Sequence, residues 1–265
     1  MIIDKYNTRA KKINSLLCVG LDSDFEKIPE EYQKLLNPQF SFNKFIIEQT
    51  HEFATSFKLN IAFYEARGDR GMRELKQTMD YLKMNYPEIF TICDAKRADI
   101  GNTNQGYVTA IFDWLGFDAI TLHPYMGRES LAPFLDRKDK ASIILCRTSN
   151  PGAGELQDLK VEGEPLWQKV AEQVHYKWNN NNNCMLVVGA TYPEEMKKIR
   201  EVTGNMTFLV PGIGAQGGDL KKTLEAGLNS EGLGLIINSS RGIIFSENPK
   251  AEAQKLCEEI RKYRK

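Results

Sequence analysis

Eight short apolar runs constrain the fold of this sequence more than any other feature. Each is rich in Val, Ile, Leu or Phe, is bounded by turn residues and precedes a longer segment with helical spacing. The runs cover residues 15–21, 55–61, 89–93, 119–122, 142–146, 185–189, 208–210 and 234–237. The amphipathic stretches between them include 42–53, 70–85, 107–115, 165–178, 193–203 and 218–226. Alternating strands and helices predict an α/β fold with a parallel sheet, and eight such units predict a closed (β/α)₈ barrel.

The chain length agrees with one such barrel. A (β/α)₈ barrel typically needs about 250 residues, and this sequence has 265. No linker-like stretch divides the chain, so the sequence predicts a single domain over residues 1–265. A run of five asparagines, residues 179–183, is interpreted as a solvated loop before the sixth strand.

Charge and cysteine content narrow the functional classes. Lys and Arg together number 35, as do Asp and Glu, so the chain lacks the positive field that draws proteins onto nucleic acid. The five cysteines form no CxxC pair and are interpreted as reduced thiols. The sequence shows no signal peptide and no apolar stretch of ~20 residues. These features predict a cytoplasmic protein that binds neither nucleic acid nor membrane.

Polar residues follow directly after many of the apolar runs. The active sites of such barrels lie at the carboxyl ends of the strands, so these residues are expected to converge on one charged pocket. They are Asp22; Lys58 and Asn60; Asp94 and Lys96; Arg147, Thr148 and Ser149; and Ser239, Ser240 and Arg241.

The segment around the third run gives the strongest local signal. Asp94 and Lys96 are two residues apart, so on a strand they point to the same side, into the barrel mouth. Lys58, among the apolar residues of FKLNIAF, needs an acidic partner, and Asp94 and Asp99 are the natural ones. The structural alternatives are a fixed ion pair of Asp94 and Lys96, a helix N-cap at Asp99 and a lysine at position 58 that reaches the rim.

The seventh and eighth strand ends indicate a phosphate site. Residues 211–218, PGIGAQGG, begin with Pro211, include Gln216 and supply glycines that let backbone N–H groups approach an anion. Residues 238–242, NSSRG, supply hydroxyls, among them that of Ser240, and the Arg241 guanidinium. Barrels often bind phosphate in the loops after these two strands.

The motifs together resemble a known family. DAKRADIGNT, residues 94–103, is similar to the DxKxxDIxNT signature of orotidine 5′-phosphate decarboxylases. CVGLDSD, FKLN, DAKRADIGNTNQGY, TLHPYMG, LCRTSNPGAGELQDL, VPGIGAQGGD and INSSRG occur in the order of the longer branch of that family, between Cys18 and Gly242. The resemblance implies a barrel that converts orotidine 5′-monophosphate (OMP) to UMP, the last step of de novo pyrimidine synthesis, without a cofactor or metal.

The resemblance also implies roles for individual residues. Lys58, Asp94, Lys96 and Asp99 would form the catalytic charge network. Within a homodimer, Asp99, Ile100 and Thr103 would reach into the partner subunit's site. The substrate contacts would come from Asp22 and Asn60, which hold the ribose or the network, from Ser149 on the pyrimidine, and from Gln216 and Arg241 on the phosphate. His123 departs from the family pattern and is interpreted as a rim or core histidine.

The implied chemistry needs a fixed cation. Loss of CO₂ leaves a carbanion at C6 that the ring delocalises poorly, so Lys96 is expected to stabilise that charge and then deliver a proton. The alternatives are a Mg²⁺-dependent phosphosugar lyase of the same superfamily and an inactive nucleotide-binding barrel. The first would be expected to place an acidic metal ligand on the second strand, where this chain has Lys58 and Asn60.

Overall fold

Eight parallel strands form the centre of the molecule. The structure is a computed structural model that describes residues 1–213 and 217–264. The strands are β1 (Leu17–Gly20), β2 (Ser56–Asn60), β3 (Phe90–Arg97), β4 (Ala119–Leu122), β5 (Ala141–Arg147), β6 (Cys184–Val188), β7 (Phe208–Val210) and β8 (Leu235–Ser239).

The strands close into a barrel in chain order, and β1 pairs with β8 to complete the ring. Every pair in the ring is parallel. The predicted (β/α)₈ barrel is therefore confirmed. Strands such as β1 and β6 are buried along their whole length, which explains why their sequences lack strict alternation.

Helices surround the barrel. The α-helices are Ile2–Lys12, Glu30–Gln33, Pro38–Thr50, Ala62–Glu65, Gly68–Asn85, Gly101–Val108, Gly127–Leu135, Gly154–Gln157, Leu166–Gln173, Pro193–Thr203, Leu220–Gly227, Arg241–Ile244 and Pro249–Arg261. Two continue as π-helical turns, Thr109–Leu115 and Val174–Trp178. Short 3₁₀ turns cover Phe25–Lys27 and Pro151–Ala153, and a two-stranded antiparallel ribbon pairs Lys160–Val161 with Glu164–Pro165.

The N-terminal helix Ile2–Lys12 packs across the amino-terminal end of the barrel. The Tyr6 hydroxyl donates to the carbonyl oxygen of Leu235, where β8 begins. The Arg9 side chain donates to the carbonyl oxygen of Ala54, just before β2, at 2.8 Å. This helix therefore covers one end of the barrel and leaves the carboxyl ends of the strands for the site.

The asparagine run, residues 179–183, is more than the solvated loop that its composition predicted. Asn183 is buried, and Asn179 accepts a hydrogen bond from the backbone N–H of Cys184 at 2.9 Å. The Asn183 side-chain nitrogen lies within 3.0–3.1 Å of the carbonyl oxygens of Leu135, Arg137 and Lys140. Amide side chains thus bond to backbone groups of the segments that lead into β5 and β6.

Candidate active site

A cavity of about 710 Å³ opens at the carboxyl ends of the strands. It contains most of the residues that the sequence predicted to form the site. Those that line it are Asp22, Lys58, Asn60, Asp94, Lys96, Ser149, Pro211, Ser240 and Arg241. The position agrees with the usual location of barrel active sites.

A network of alternating charges occupies one wall of this cavity. The Lys58 ammonium lies 3.1 Å from Asp22 Oδ1 and 3.2 Å from Asp94 Oδ2. The Lys96 ammonium lies 2.7 Å from Asp94 Oδ1. The predicted pairing of Lys58 with Asp94 is confirmed, but within the described part of the chain its second partner is Asp22 and not Asp99. Asp22 therefore belongs to the network.

Burial and charge act in opposite directions on this network. Burial disfavours the ammonium of Lys58, but the Asp22 and Asp94 carboxylates outweigh that effect and raise its pKa. Burial alone would raise the pKa of Asp94, yet Lys58 and Lys96 hold the pKa of that carboxyl well below its usual range. Both groups are therefore charged at neutral pH, and the wall presents fixed charges to a ligand.

Lys96 differs from Lys58 in its accessibility. The Lys58 side chain is 5% exposed, whereas that of Lys96 is 50% exposed. Lys58 holds two carboxylates in place from inside the barrel. Lys96 contacts one carboxylate and leaves hydrogens of its ammonium directed to the cavity, which a proton donor requires.

The opposite end of the cavity can accept an anion. Pro211, Gly212 and Ile213 line it after β7, and Ser240 and Arg241 line it after β8. Arg241 is exposed, and within residues 1–213 and 217–264 its guanidinium makes no ion pair. Gln216, the other predicted phosphate ligand, lies outside the described residues.

Gly20 allows the two strands beside this end to approach each other. A Cβ at position 20 would lie 2.8 Å from Ser240 Cβ, closer than van der Waals contact allows. The Ser240 hydroxyl donates to the Gly20 carbonyl oxygen at 3.0 Å. The glycine thus fixes the loop after β8 against β1.

The loop after β5 supplies a further part of the wall. Thr148, Ser149 and Gln157 line the cavity. Gln157 accepts a hydrogen bond from the Thr148 backbone N–H at 3.0 Å and donates to the Thr148 hydroxyl at 2.8 Å. The Gln157 side chain therefore ties one part of this loop to another. Gln157 was not among the predicted site residues.

Arg147 corrects the expectation that every polar residue at a strand end faces the pocket. Its side chain is 3% exposed, pairs with Asp158 at 3.3 Å and lies over the ring of Tyr192 at 3.8 Å. It does not line the described cavity. The cause is an irregularity in β5, where Leu145 and Arg147 pair with consecutive residues of β6, so that the direction of the following side chain changes.

Several other predicted residues lie away from the cavity of their own chain. Asp99, Ile100 and Thr103 are not part of its described lining. Asp99 Oδ1 accepts from the backbone N–H of Ile100 at 2.7 Å, and Ile100 is 58% exposed. His123 is half-buried after β4 and its backbone N–H donates to Arg97, in agreement with a rim position.

Thr121 and Asn238 were not predicted as site residues, although both line the cavity. Thr121 lies in the apolar run of β4, where its sequence context indicates only a buried strand. Its hydroxyl donates to Asp94 Oδ1 at 2.9 Å. Asn238 lies near the end of β8, and its buried side-chain oxygen has no hydrogen-bond partner among the described residues.

The closed parallel barrel, the network of lysines and carboxylates, and the anion-accepting end define a (β/α)₈-barrel enzyme. The family model described as "Orotidine 5′-phosphate decarboxylase / HUMPS family" matches residues 15–256, and the chain belongs to this family. This confirms the family that the motifs predicted, while the assignment to its longer branch stays a prediction.

Individual relatives agree with the family. The orotidine 5′-phosphate decarboxylase of Cellvibrio japonicus is 47% identical over 254 residues, which cover 95% of this chain and 92% of that protein. The one of Christiangramia forsetii is 48% identical over 237 residues, covering 89% and 86%. The solved OMP decarboxylase of Leishmania donovani has a TM-score of 0.90 at 42% identity and covers 99% of this chain and 98% of its own.

Two whole-chain properties complete the description. Across residues 1–213 and 217–264, no helix combines the length and the apolar character needed to cross a bilayer. All five cysteines are free and buried.

Proposed function

We propose that residues 1–265 act as one barrel domain that decarboxylates OMP to UMP. The observation that carries this proposal is the Asp22–Lys58–Asp94–Lys96 network in the same cavity as the anion-accepting Arg241. A nucleoside monophosphate has a phosphate at one end and a reacting base at the other, which matches this arrangement. The free, buried thiols support a cytoplasmic location.

The charge network supplies what the reaction needs. When the bond between C6 and the carboxylate breaks, CO₂ leaves and the electron pair stays on C6. The Lys96 ammonium stabilises that pair and then transfers its proton to C6, which gives UMP and a neutral lysine. Lys58 and Lys96 hold Asp94 in its charged form. The Asp94 carboxylate therefore repels the carboxylate of the substrate and fixes the position of Lys96.

The remote end of the cavity contributes binding energy. Arg241 and the backbone after β7 would bind the phosphate, and Ser149 the pyrimidine. The ribose would then lie beside Asp22 and Asn60. Binding energy from the phosphate orients C6 against Lys96, so its loss lowers kcat/KM although it is far from the reacting atom.

The Mg²⁺-dependent alternative lacks support at this site. Asp22 and Asp94 both contact the Lys58 ammonium, so a cation of the protein already occupies the position between them. The relatives described above are named for OMP decarboxylation. An inactive nucleotide-binding barrel would not need the half-exposed Lys96.

The decisive experiment follows the fall in ultraviolet absorbance of OMP in the presence of a metal chelator. We expect turnover that the chelator does not change. Turnover that requires added Mg²⁺ would contradict the proposal and support the phosphosugar lyase class. Binding of UMP without any decarboxylation would support the inactive barrel.

We further propose a homodimer in which each subunit's Asp99 completes the other subunit's network. Two features of the described chain support it: Asp99 makes no ion pair with Lys58 or Lys96 of its own chain, and Ile100 beside it is an exposed apolar residue. In a two-fold dimer the same surface serves both subunits.

Mixed dimers test this arrangement. Lys96→Ala and Asp99→Ala chains should each be almost inactive alone. Unfolded together and refolded at equal amounts, about half of the dimers are hybrids with one intact site, so activity should recover to roughly a quarter of the parent value.

The matched control mixes Lys96→Ala with Asp94→Ala, which remove groups that every site takes from its own chain. This mixture should not recover activity. If the Lys96→Ala and Asp99→Ala mixture also stayed inactive, each site would use its own Asp99 and the shared site would be wrong.

A further inference from the structure

Strand β3 is irregular at the point where it carries the catalytic network. Cys93 pairs with Ile120 of β4, and Arg97 pairs with Leu122. Three residues of β3, from Asp94 to Lys96, therefore stand opposite the single residue Thr121. Extra residues in one strand interrupt the ladder and re-aim the side chains that follow.

The backbone at Lys96 takes an uncommon conformation within this bulge. Its φ is +48°, in the left-handed region that residues with a Cβ seldom adopt. Such a conformation persists when surrounding contacts hold it in place. This backbone, and not simple strand alternation, places the Lys96 ammonium beside Asp94.

The contact that holds it comes from the Thr121 hydroxyl. Thr121 Oγ1 accepts a hydrogen bond from the Lys96 backbone N–H at 3.0 Å and donates to Asp94 Oδ1 at 2.9 Å. Thr121 is 1% exposed, so water has little access to replace either bond. One hydroxyl thus joins the backbone of the proton donor to the carboxylate that pairs with it.

We propose that Thr121 is a positioning residue for the decarboxylation, because its hydroxyl fixes the Lys96 backbone and the Asp94 carboxylate relative to each other. The inference rests on the proposed function. It adds to that function a group on β4 that acts through Lys96 and Asp94. A valine has nearly the same shape and would fill the same space, but it would leave the Lys96 N–H and one Asp94 lone pair without this partner.

Three variants test the proposal. Thr121→Val should lower kcat by about 10- to 100-fold, with KM little changed because the phosphate end is untouched. Thr121→Ser keeps the hydroxyl and should restore the larger part of the loss. Thr203→Val is the matched control: it also removes a buried hydroxyl, one bonded to the Ile199 carbonyl oxygen on an outer helix, and should leave kcat unchanged.

The pH profile of kcat separates a loss of positioning from a loss of the Asp94 charge. The hydrogen bond from Thr121 helps to lower the pKa of Asp94. Lys58 and Lys96 contribute more to that shift and remain in place, so Asp94 should stay charged and the pH profile of kcat should keep its shape in Thr121→Val while its height falls. Thr203→Val should change neither the shape nor the height of the profile.

Crystal structures of the two Thr121 variants supply a readout that does not depend on activity. Lys96 should keep its left-handed backbone and its contact with Asp94 in Thr121→Ser and lose one or both in Thr121→Val. If wild-type protein fails to decarboxylate OMP, the proposed function is wrong, and the structures still decide the positioning. If wild-type protein is active and Thr121→Val matches it in kcat, the positioning role is overturned.

Discussion

Lys96 at the carboxyl end of the barrel and Arg200 near its amino end are both cationic, but the protein holds them in different ways. Of the carboxylates that the structure describes, the Lys96 ammonium contacts a single one, that of Asp94, and its side chain remains half exposed to the cavity. Among residues 1–213 and 217–264, the Arg200 guanidinium instead donates only to backbone carbonyl oxygens, at 2.6–2.9 Å. They belong to Gly204, Met206, Gly227 and Gly234.

This difference in partners distinguishes Arg200, a cation that stabilises the fold, from Lys96, a cation that can take part in catalysis. Burial lowers the pKa of Arg200 to about 10, and no carboxylate in the described part of the chain opposes this shift. The guanidinium lies 3.9 Å from the ring centre of Phe208. The N–H groups of Arg200 donate to these fixed carbonyls, so Arg200 links the loops that lead into β7 and β8. Lys96 keeps free donors where a substrate can reach them, because its partner fixes the side chain without enclosing it.

The largest effect is expected at Lys96. Lys96→Ala removes both the cation that stabilises the carbanion and the proton donor, so kcat should fall by roughly 10³-fold or more. UMP should still bind, since Arg241 and the loop after β7 are intact. Absorbance assays with OMP and calorimetry with UMP measure the two properties.

Lys76→Ala is the control for Lys96→Ala. Lys76 also pairs with one aspartate, Asp80, but on an outer helix. Its replacement should leave kcat unchanged. Substantial decarboxylation by Lys96→Ala would show that Lys96 is not the proton donor. The contrast with Arg200 would then not hold.

A smaller effect is expected at Arg241. Arg241→Ala removes a charge-assisted contact to phosphate, which should cost on the order of 3 kcal/mol in kcat/KM, roughly 100-fold. Arg73→Ala, at an exposed arginine paired with Asp69, should cost nothing measurable. If Arg241→Ala converted OMP as efficiently as the parent, the phosphate would have to bind elsewhere.

The sequence predicts the barrel and the outline of the site well, for physical reasons. Parallel strands buried on both faces produce apolar runs that are easy to recognise, and their carboxyl ends must meet at one rim. Lys58 and Asp94 could be paired because a buried lysine needs an acid. These inferences depend on local composition and strand order, which the sequence contains directly.

Contacts that depend on irregular backbone were not predictable. The bulge in β3 places a lysine in the left-handed region, where the sequence would favour glycine. Thr121 appears in its run as an ordinary strand residue, and Arg147 appears as a site residue although it packs against Tyr192. The helix Ile2–Lys12 was also not predicted, since it precedes the first apolar run and so falls outside the eight strand–helix units.

The smallest effect on catalysis is expected at Arg200, where stability should change instead. Arg200→Met keeps the length of the side chain but leaves backbone carbonyls at the starts of β7 and β8 without their donor. Buried acceptors without partners are costly, so the free energy of unfolding should fall by about 2 kcal/mol or more. Denaturant titration measures this loss, and kcat per folded molecule should stay within about twofold of the parent.

The control variant lies on the same helix as Arg200. Lys197→Met changes an exposed neighbour of Arg200. It should alter neither stability nor kcat, because the Lys197 ammonium is solvated and holds no described backbone carbonyl in place. If Arg200→Met instead kept full stability but lost turnover, Arg200 would act on the site through β7 and β8. Bonds to backbone carbonyls would then not distinguish a structural cation from a catalytic one.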